Sequence, residues 1–254
     1  MFRTLTTFII PAAGAGSRFA ETHPGVAKPL IEVLGHRMID LVVQNCQLQE
    51  GDTLIVVGRA HTGLSEWKPK LSANVKFKFL EVDHLTCGPA CTIKLAISLI
   101  PNSGSIVALN SDQYVLGGLT QFVDKLNRLS HPSGLIMTMI ATGSRWSYVE
   151  VEEGMIVRVE EKLEISNEAT VGVYGWSSKG LLSLALNRGM AEEAKVNGEW
   201  YLAPTYNYLI SEGVPIYRHL SGSLADTVVG LGTPEDLGLA IRSDKFRLEV
   251  SNFL

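Results

Sequence analysis

Short apolar runs alternate with helical patterns along the first 141 residues, and this alternation is the strongest constraint on the fold. Continuous apolar runs bounded by turn residues indicate strands that are buried on both faces. The predicted strands cover residues 7–11, 30–33, 53–58, 75–82, 105–109 and 135–141, and the predicted helices cover 38–49, 88–100 and 119–129. Such alternation predicts a Rossmann-like α/β fold with a doubly wound, mostly parallel sheet and right-handed connections.

The alternation ends near residue 147, where the sequence predicts an antiparallel hairpin insert. Residues 148–151 and 156–159 lie on either side of a turn at Gly154. A further helix is predicted near residues 203–211.

The last predicted element is a closing helix over about residues 233–250. Thr233 suits its N-cap and Pro234 its first helical position. We interpret residues 1–254 as a single domain with three parts, which are about 1–145, about 146–230 and this helix.

Composition excludes several classes of protein. The chain has 22 basic and 26 acidic residues and a net charge of −4, which does not favour a broad nucleic-acid-binding face. Its three cysteines fit neither a disulfide framework nor a zinc site, so a reducing cytoplasm is the simplest setting. No apolar run reaches the roughly 18 residues of a membrane span, and the N-terminus lacks a signal-peptide pattern. We therefore expect a cytoplasmic protein without nucleic-acid or membrane partners.

The first predicted strand runs directly into a loop of small residues, PAAGAGSRF at 11–19. Gly14 and Gly16 allow main-chain N–H groups to approach an anion without a Cβ in the way. Arg18 offers a planar fork of donors, and Lys28 adds a compact ammonium group. A Walker loop and a dinucleotide-binding fingerprint both fail on spacing, the latter because Phe19 occupies the place of its third small residue. A purely structural turn would explain the glycines, but the two cations favour a phosphate site.

A second polar motif, NSDQY at residues 110–114, follows the predicted strand 105–109. Ligands of such sheets bind beyond the carboxyl ends of the strands. Asp112 is the best carboxylate there for Mg²⁺, which is usually held by one or two carboxylates together with substrate phosphates. An Asx turn is the alternative interpretation of Asp112.

Three further motifs accompany the glycine loop: KPLIEV at residues 28–33, GHRMI at 35–39 and GTPEDL at 232–237. Together they resemble the sugar-phosphate nucleotidyltransferases, the nucleotide-sugar pyrophosphorylase superfamily, over nearly the whole chain. The resemblance implies that the part at about 1–145 binds a nucleoside triphosphate (NTP) and that the part at about 146–230 binds a phosphorylated acceptor. It implies catalytic roles for Arg18, Lys28 and Asp112, Mg²⁺ on Asp112, and nucleotide contacts by Ala13, Gly14, Gly16, Ser17 and Gly88.

The acceptor side rests on the motifs EEK at residues 160–162 and ATVGVY at 169–174. From the residues alone, Glu161 and Lys162 are typical of a solvated strand end. The resemblance instead implies that Glu161, Lys162 and Gly172 bind the acceptor.

The aromatic stretch NGEWYLAPTYN at residues 197–207 has two interpretations. It can form a pocket wall with Glu199 as the polar contact, or it can belong to a helix that buries Tyr206 and Leu209. The sequence does not separate them.

A second metal-binding aspartate, which many relatives carry two residues before the final Gly-Thr, is replaced here by Gly230. The nearest upstream acid is Asp226, on the same face of a predicted strand at 225–229. Four strand rises put it roughly 13 Å away, so Asp226 could hold the metal only if the chain bulges. A turn or strand-start role is the alternative.

The resemblance implies an Mg²⁺-dependent enzyme of nucleotide-sugar biosynthesis that transfers a nucleoside monophosphate from an NTP to a sugar 1-phosphate and releases pyrophosphate. Homo-oligomers are usual among such enzymes. Two alternatives stay open: a cytidylyltransferase for a non-sugar phosphorylated metabolite, and a catalytically silent nucleotide-binding module.

Overall fold

The structure, a computed structural model, describes residues 3–72, 74–191 and 195–252. Its strands are β1 (Thr6–Ala12), β2 (Glu32–Val33), β3 (His36–Arg37), β4 (Thr53–Arg59), β5 (Lys76–Val82), β6 (Ser105–Leu109), β7 (Gln113–Val115), β8 (Gly134–Ile140), β9 (Ser147–Glu152), β10 (Met155–Glu161), β11 (Glu168–Trp176), β12 (Ile216–Ser223) and β13 (Val228–Gly230). Its helices are α1 (Met38–Asn45), α2 (Pro89–Leu95), α3 (Thr120–Arg128), α4 (Lys179–Ala191), α5 (Thr205–Ser211), α6 (Pro234–Ala240) and α7 (Asp244–Ser251).

One nine-stranded sheet, in the order β5-β4-β1-β6-β11-β8-β12-β10-β9, forms the middle layer. The first four strands in that order are parallel, as are β8 and β12. Strand β11 runs antiparallel to both of its neighbours, and β9 and β10 form an antiparallel hairpin. Seven of the nine strands thus point the same way, which confirms the predicted mostly parallel α/β sheet with a hairpin insert.

The strand order reverses at β1, because β4 and β5 lie on one side of it and β6 on the other. The carboxyl ends of β1 and β6 therefore meet at a topological switch point, where doubly wound sheets bind their ligands.

Both faces of the sheet are covered, because consecutive residues of a buried strand point to opposite sides. In β1, Phe8 lies in the apolar cluster under α1 and α3, whereas Ile9 lies in the cluster under α2, α4 and α5. The helices thus form the two outer layers. None of those in the described residues combines the length and the apolar character that crossing a membrane requires.

A third apolar cluster, here called the C-terminal cluster, lies beside the switch point. It joins α6 and α7 to α1, to the two-stranded pair β7–β13 and to the chain that follows β1. Its buried members are Phe19, Ile31, Val33, Met38, Leu41, Tyr114, Val229, Leu231, Leu237, Ala240, Phe246 and Val250.

Several predicted elements end earlier than the apolar pattern does. Helix α1 stops at Asn45 instead of residue 49, and Gln47 takes a left-handed conformation at φ 51°. The predicted helix 88–100 divides into α2 and a 3-10 turn, Ile97–Leu99. The predicted strand 30–33 is shorter than expected, because Leu30 still belongs to a 3-10 turn, Lys28–Leu30, and only Glu32–Val33 forms the strand β2.

The closing helix predicted over about 233–250 is two helices, α6 and α7. Thr233 caps α6 as predicted, since its hydroxyl accepts the N–H of Asp236 at 3.1 Å. The chain then turns and begins α7 with a new cap, in which the Ser243 hydroxyl accepts the N–H of Phe246 at 3.4 Å. A second cap restarts the helix in another direction, and the helical periodicity alone does not reveal this.

Candidate active site

A cleft of about 620 Å³ opens at the switch point and extends to the hairpin β9–β10. The predicted site residues that line it are Gly14, Gly16, Ser17, Arg18, Lys28, Asp112, Glu161, Lys162, Gly172 and Glu199. The residues expected to bind the nucleotide and those expected to bind the acceptor therefore line one cavity.

The loop after β1 owes its shape to two glycines with different roles. A Cβ on Gly14 would meet open space, so this residue leaves the main chain accessible. Gly16 has φ 65°, in the left-handed region that favours glycine, and a Cβ there would lie 3.2 Å from Lys28 Cβ. The next residues form a 3-10 turn in which Phe19 is buried and Arg18 is exposed toward the cleft.

Lys28 and Asp112 form an ion pair inside the cleft, between Nζ and Oδ2. The chain before α6 supports this pair, because the Leu231 N–H donates to the Asp112 carbonyl at 2.8 Å. At Gly232, a Cβ would stand 3.1 Å from Asp112 Oδ2 and 3.9 Å from Arg18 Nη1. The missing side chain at Gly232 leaves room between the Asp112 carboxylate and the Arg18 guanidinium.

The side chains of the cleft fit a divalent cation only at a site with a single protein carboxylate. Within residues 3–72, 74–191 and 195–252, no group of three or more His, Cys, Asp or Glu side chains is placed to hold a metal ion. Mg²⁺ commonly takes one or two carboxylates and completes its shell with substrate phosphates and water. Asp112, beside the gap at Gly232, fits such a single-carboxylate site.

The structure does not bring Asp226 to this cleft. Its carboxylate is 61% exposed and pairs with Lys245 of α7. The predicted strand 225–229 starts only at Val228, because the chain turns at Ala225 with φ 67° and the Asp226 N–H donates to the Ser223 carbonyl at 3.3 Å. Asp226 is thus a turn residue, one of the two interpretations of the sequence.

The acceptor half is built around a buried carboxylate, Glu161, at the end of β10. Its exposed fraction is 8%, so it is not the solvated strand end that its charge alone suggested. The Ser147 hydroxyl donates to its Oε2. Burial raises the pKa of Glu161, and the Ser147 hydrogen bond and the Lys162 charge partly oppose that rise.

Lys162 follows in a left-handed conformation, φ 60°, which turns its side chain out of the strand. Its N–H donates to the Trp146 carbonyl at 2.9 Å. Its ammonium donates to the Tyr201 hydroxyl at 2.7 Å and stands 4.7 Å from the centre of that ring. The Lys162 ammonium is therefore held by a neutral hydroxyl and an aromatic ring, and its charge stays available to an anionic ligand.

Gly172 marks a bulge in β11, where the pairing with β8 shifts between Thr170 and Tyr174. It has φ 85°, and a Cβ there would clash with the side chains of Asn110 and Gln113. These two amides are hydrogen-bonded, Asn110 Nδ2 to Gln113 Oε1, at 3.2 Å. Gly172 therefore makes room for an amide pair on the cleft floor, between the two halves.

Two predicted nucleotide contacts lie behind the cleft wall. Ala13 is 1% exposed and belongs to an apolar core cluster. Gly88 begins α2 with φ 109°, packed against Trp200 and Glu199, and its neighbour Pro89 lines the cleft in its place.

The aromatic stretch at 197–207 serves both purposes that its sequence suggested. Glu199 and Tyr201 line the cleft, and the Trp200 N–H donates to the Cys87 carbonyl at 2.8 Å, which fixes this wall to the start of α2. Helix α5 then buries Tyr206 and Leu209 completely.

Further polar and aromatic side chains line the cleft without having been predicted. They are Asn110, Ser111, Gln113, Arg145, Trp146, Ser147, Thr170, Tyr174, Thr233 and Asp236. Among them, Arg145 Nη1 contacts Asp236 Oδ1 at 2.9 Å and Oδ2 at 3.2 Å. The adjacent Arg145 and Trp146, a cation and an aromatic residue just before a predicted hairpin, are the one local signal that could have pointed to this loop.

Comparisons with known proteins agree with this architecture. The family model for nucleotidyl transferase matches residues 7–206. No curated protein sequence matches the chain significantly.

Solved structures match over almost the full chain. The nucleoside-diphosphate-sugar pyrophosphorylase of Vibrio cholerae RC9 is 23% identical, with 94% of this chain and 99% of that chain covered and a TM-score of 0.77. The UDP-glucose pyrophosphorylase of Acinetobacter baumannii is 14% identical, with 98% of each chain covered and a TM-score of 0.74. The inositol-1-phosphate CTP transferase of T. maritima is 14% identical, with 94% and 96% covered and a TM-score of 0.73. At these identities the likeness shows a shared fold.

Proposed function

The chain belongs to the nucleotidyl transferase family, and from the geometry of its cleft we propose that it transfers a nucleoside monophosphate from an NTP to a sugar 1-phosphate. One observation carries the proposal. A single cavity holds a phosphate-type loop with Arg18 and Lys28 and, opposite it, the polar wall of Glu161 and Lys162. We assign the NTP to the part at about 1–145 and the acceptor to the part at about 146–230.

The reaction is an in-line displacement at the α-phosphorus of the NTP. An oxygen of the acceptor phosphate forms the new P–O bond, and the bond to the β-phosphate breaks, so that pyrophosphate leaves with that electron pair. The acceptor phosphate is already ionised at neutral pH, and no general base or covalent intermediate is required. Catalysis then rests on positioning and on neutralising charge.

The residues of the nucleotide half divide this work. The main chain at Gly14 and Gly16 binds phosphate oxygens, and Arg18 holds the leaving pyrophosphate. Lys28 neutralises charge that develops at the α-phosphate, and its ion pair with Asp112 positions the ammonium before the NTP arrives. A divalent ion held by Asp112 would add further neutralisation of the phosphates.

The residues of the acceptor half suit a ligand that is both anionic and rich in hydroxyls. Lys162 binds the acceptor phosphate. Glu161 and Glu199 accept hydrogen bonds from hydroxyl groups, and Tyr201 keeps the Lys162 ammonium in place through its 2.7 Å hydrogen bond. Carboxylates that accept from hydroxyls are worth most where water is excluded, as at the buried Glu161.

A second candidate acceptor is a cyclic polyol phosphate with CTP as donor. The T. maritima neighbour is named as an inositol-1-phosphate CTP transferase, and the same carboxylates would bind the hydroxyls of a polyol ring. A silent binding module is the weaker candidate, because Arg18, Lys28, Asp112 and Lys162 all line the cleft.

The test is a panel assay. The protein is incubated with Mg²⁺, with each of ATP, CTP, GTP, UTP and dTTP, and with a set of sugar 1-phosphates and inositol 1-phosphate. Pyrophosphate release and the nucleotide product are both measured. We expect turnover with one sugar 1-phosphate; turnover with CTP and inositol 1-phosphate alone would select the second candidate, and silence with every pair would select the binding module.

A matched pair of variants ties the activity to the cleft. Lys28→Ala should lower turnover by about 10²-fold, the usual size of a lost electrostatic stabiliser. Lys245→Ala is the control, because Lys245 also pairs with an aspartate but lies outside the cleft. Equal turnover in the two variants would remove Lys28 from its role.

A further inference from the structure

Arg145 and Asp236 form an ion pair on the cleft wall that joins its two halves. The Arg145 side chain is 48% exposed and that of Asp236 is 14% exposed. One guanidinium nitrogen contacts both carboxylate oxygens, at 2.9 Å and 3.2 Å, and the guanidinium lies 4.5 Å from the centre of the Trp146 ring. Both residues line the cleft.

The pair stands between the acceptor wall and the phosphate loop. Arg145 belongs to the loop between β8 and β9, whose next residue, Trp146, accepts the N–H of Lys162. Asp236 lies on the other side, where a Cβ on Gly230 would come within 3.4 Å of its Cγ. The same segment borders Asp112 and Arg18 at Gly232. A phosphate group that lies between the acceptor wall and the phosphate loop would therefore be close to Arg145.

The contact between Arg145 and Asp236 can be exchanged for another at little cost. Arg145 is half exposed, and ion pairs that are open to solvent contribute little to stability. Arginine can instead bind phosphate oxygens through two parallel hydrogen bonds. Asp236 keeps a partner without Arg145, because the Thr233 hydroxyl donates to its Oδ2 at 2.9 Å. Loss of the arginine therefore does not leave the carboxylate without a hydrogen bond.

We propose that Arg145 binds a substrate phosphate and that Asp236 is the counter-ion of Arg145 until the phosphate binds. The phosphate then displaces the Asp236 carboxylate from Arg145. This inference rests on the proposed function, in which the phosphate belongs either to the NTP or to the acceptor. The position of Arg145 next to the Trp146–Lys162 contact favours the acceptor phosphate.

The experiment measures binding by calorimetry without metal, so that turnover is not needed. The probes are tripolyphosphate, which represents the NTP, and glucose 1-phosphate, which represents the acceptor. Arg145→Gln should weaken one probe by about tenfold, the size of a lost charge-assisted hydrogen bond. Asp236→Asn should strengthen the same probe several-fold, because the competing charge is removed while the main-chain hydrogen bond from Asp236 to Thr233 stays.

The control is Arg158→Gln. Arg158 is 51% exposed and pairs with Glu160, but it does not line the cleft, so its loss should change neither affinity. Circular dichroism and melting temperatures confirm that each variant is folded, and Arg145→Lys should retain part of the binding because the charge remains. A change with glucose 1-phosphate assigns Arg145 to the acceptor, and a change with tripolyphosphate assigns it to the NTP.

Three results would overturn the inference. If the wild type binds a probe and Arg145→Gln binds both probes equally well, Arg145 is not an anion-binding residue. If Asp236→Asn weakens the probe that Arg145→Gln weakens, Asp236 is not a competing counter-ion. If the wild type binds neither probe, the phosphate site of the proposed function fails as well, which distinguishes the two failures.

Discussion

At the scale of single residues, Glu161 is a carboxylate whose burial in the acceptor wall is unfavourable for its charged form. Its carboxylate is buried at the end of β10, and burial disfavours the charged form. The Ser147 hydroxyl offsets only part of that penalty, so the ionised carboxylate is a strong acceptor with a hydrogen-bonding need that is not fully met. A hydroxyl of a bound ligand would supply the missing donor.

The raised pKa of Glu161 makes a prediction about pH. Because the folded pKa lies above the ordinary 4.5, the folded protein binds more protons than the unfolded chain just above that value, and stability falls as pH rises through the folded pKa. Glu161→Gln removes this loss. We expect the free energy of unfolding in urea, variant minus wild type, to increase as pH rises from 4.5 through the raised pKa of Glu161.

The control for this prediction is Glu160→Gln, which changes a partly exposed neighbour that pairs with Arg158. It should show no comparable trend. A difference between Glu161→Gln and wild type that stays constant across the pH range would contradict the assigned cause.

At the scale of elements, the bulge in β11 determines the shape of the cleft floor. Its glycine, Gly172, leaves room there, because a Cβ at this position would lie where the amides of Asn110 and Gln113 meet. The bulge thus interrupts the hydrogen bonding between β11 and β8 and leaves a polar surface that faces the cleft.

Gly172→Ala tests whether the space at this bulge is required, and Gly154→Ala is its matched control. The two glycines have nearly the same φ, 85° and 82°, but a Cβ on Gly154 meets nothing within 4 Å. We expect urea unfolding to show a loss of about 1 kcal/mol for Gly154→Ala and a larger loss, about 2–4 kcal/mol, for Gly172→Ala, because only the latter adds a clash.

Only Gly172→Ala should also raise the KM for the acceptor, because Gly172 lines the cleft and Gly154 does not. Equal stabilities of the two variants would show that the amide pair shifts freely and that the bulge is not required.

The element scale also shows how far the sequence alone can predict this protein. The strands β1, β4 and β6 were predictable to within a residue or two, because each is a continuous apolar run bounded by turn residues. Strand β11 was not predicted as a strand, and its antiparallel pairing depends on neighbours 60 or more residues away in β6 and about 30 to 40 away in β8. Helix α4 was missed.

The same distinction separates the site residues. The phosphate loop is local, with Gly14 to Arg18 in one stretch, and its signature is legible. Arg145 and Asp236 are 91 residues apart and meet only after folding, so neither one alone signals a site. Asp226 was a candidate as the nearest acid upstream of Gly230, but it lies in a turn and pairs with Lys245 outside the cleft.

At the scale of the whole molecule, the C-terminal cluster connects the last helices to the loops that carry Arg18 and Asp112. Phe246 of α7 is fully buried, and its ring lies 5.2 Å from that of Tyr114, two residues after Asp112. Phe19, next to Arg18, and Leu231, which bonds to Asp112, belong to the same cluster. The nucleotide half therefore rests on α6 and α7.

Phe246→Ala should accordingly affect stability and nucleotide binding together. Truncation of a buried phenylalanine costs about 3–5 kcal/mol. We expect that loss in urea unfolding, together with a higher KM for the NTP and little change in the KM for the acceptor, measured at a temperature where the variant is folded. Leu248→Ala is the control on the same helix, because Leu248 is 67% exposed. If Phe246→Ala leaves the KM for the NTP unchanged, the cluster stabilises the fold without positioning the loop.

The C-terminal cluster also sets an order in time. Residues 19 and 246 touch the same cluster although 227 positions separate them in the chain. At synthesis rates of about 5–20 residues per second, a ribosome needs roughly 10 to 45 s to pass from the first to the second. For that interval the nascent chain carries its glycine loop without the helices that support it. We expect a growing chain to bind nucleotide only after α7 has emerged, so that an unfinished copy neither sequesters nor consumes the cell's NTP.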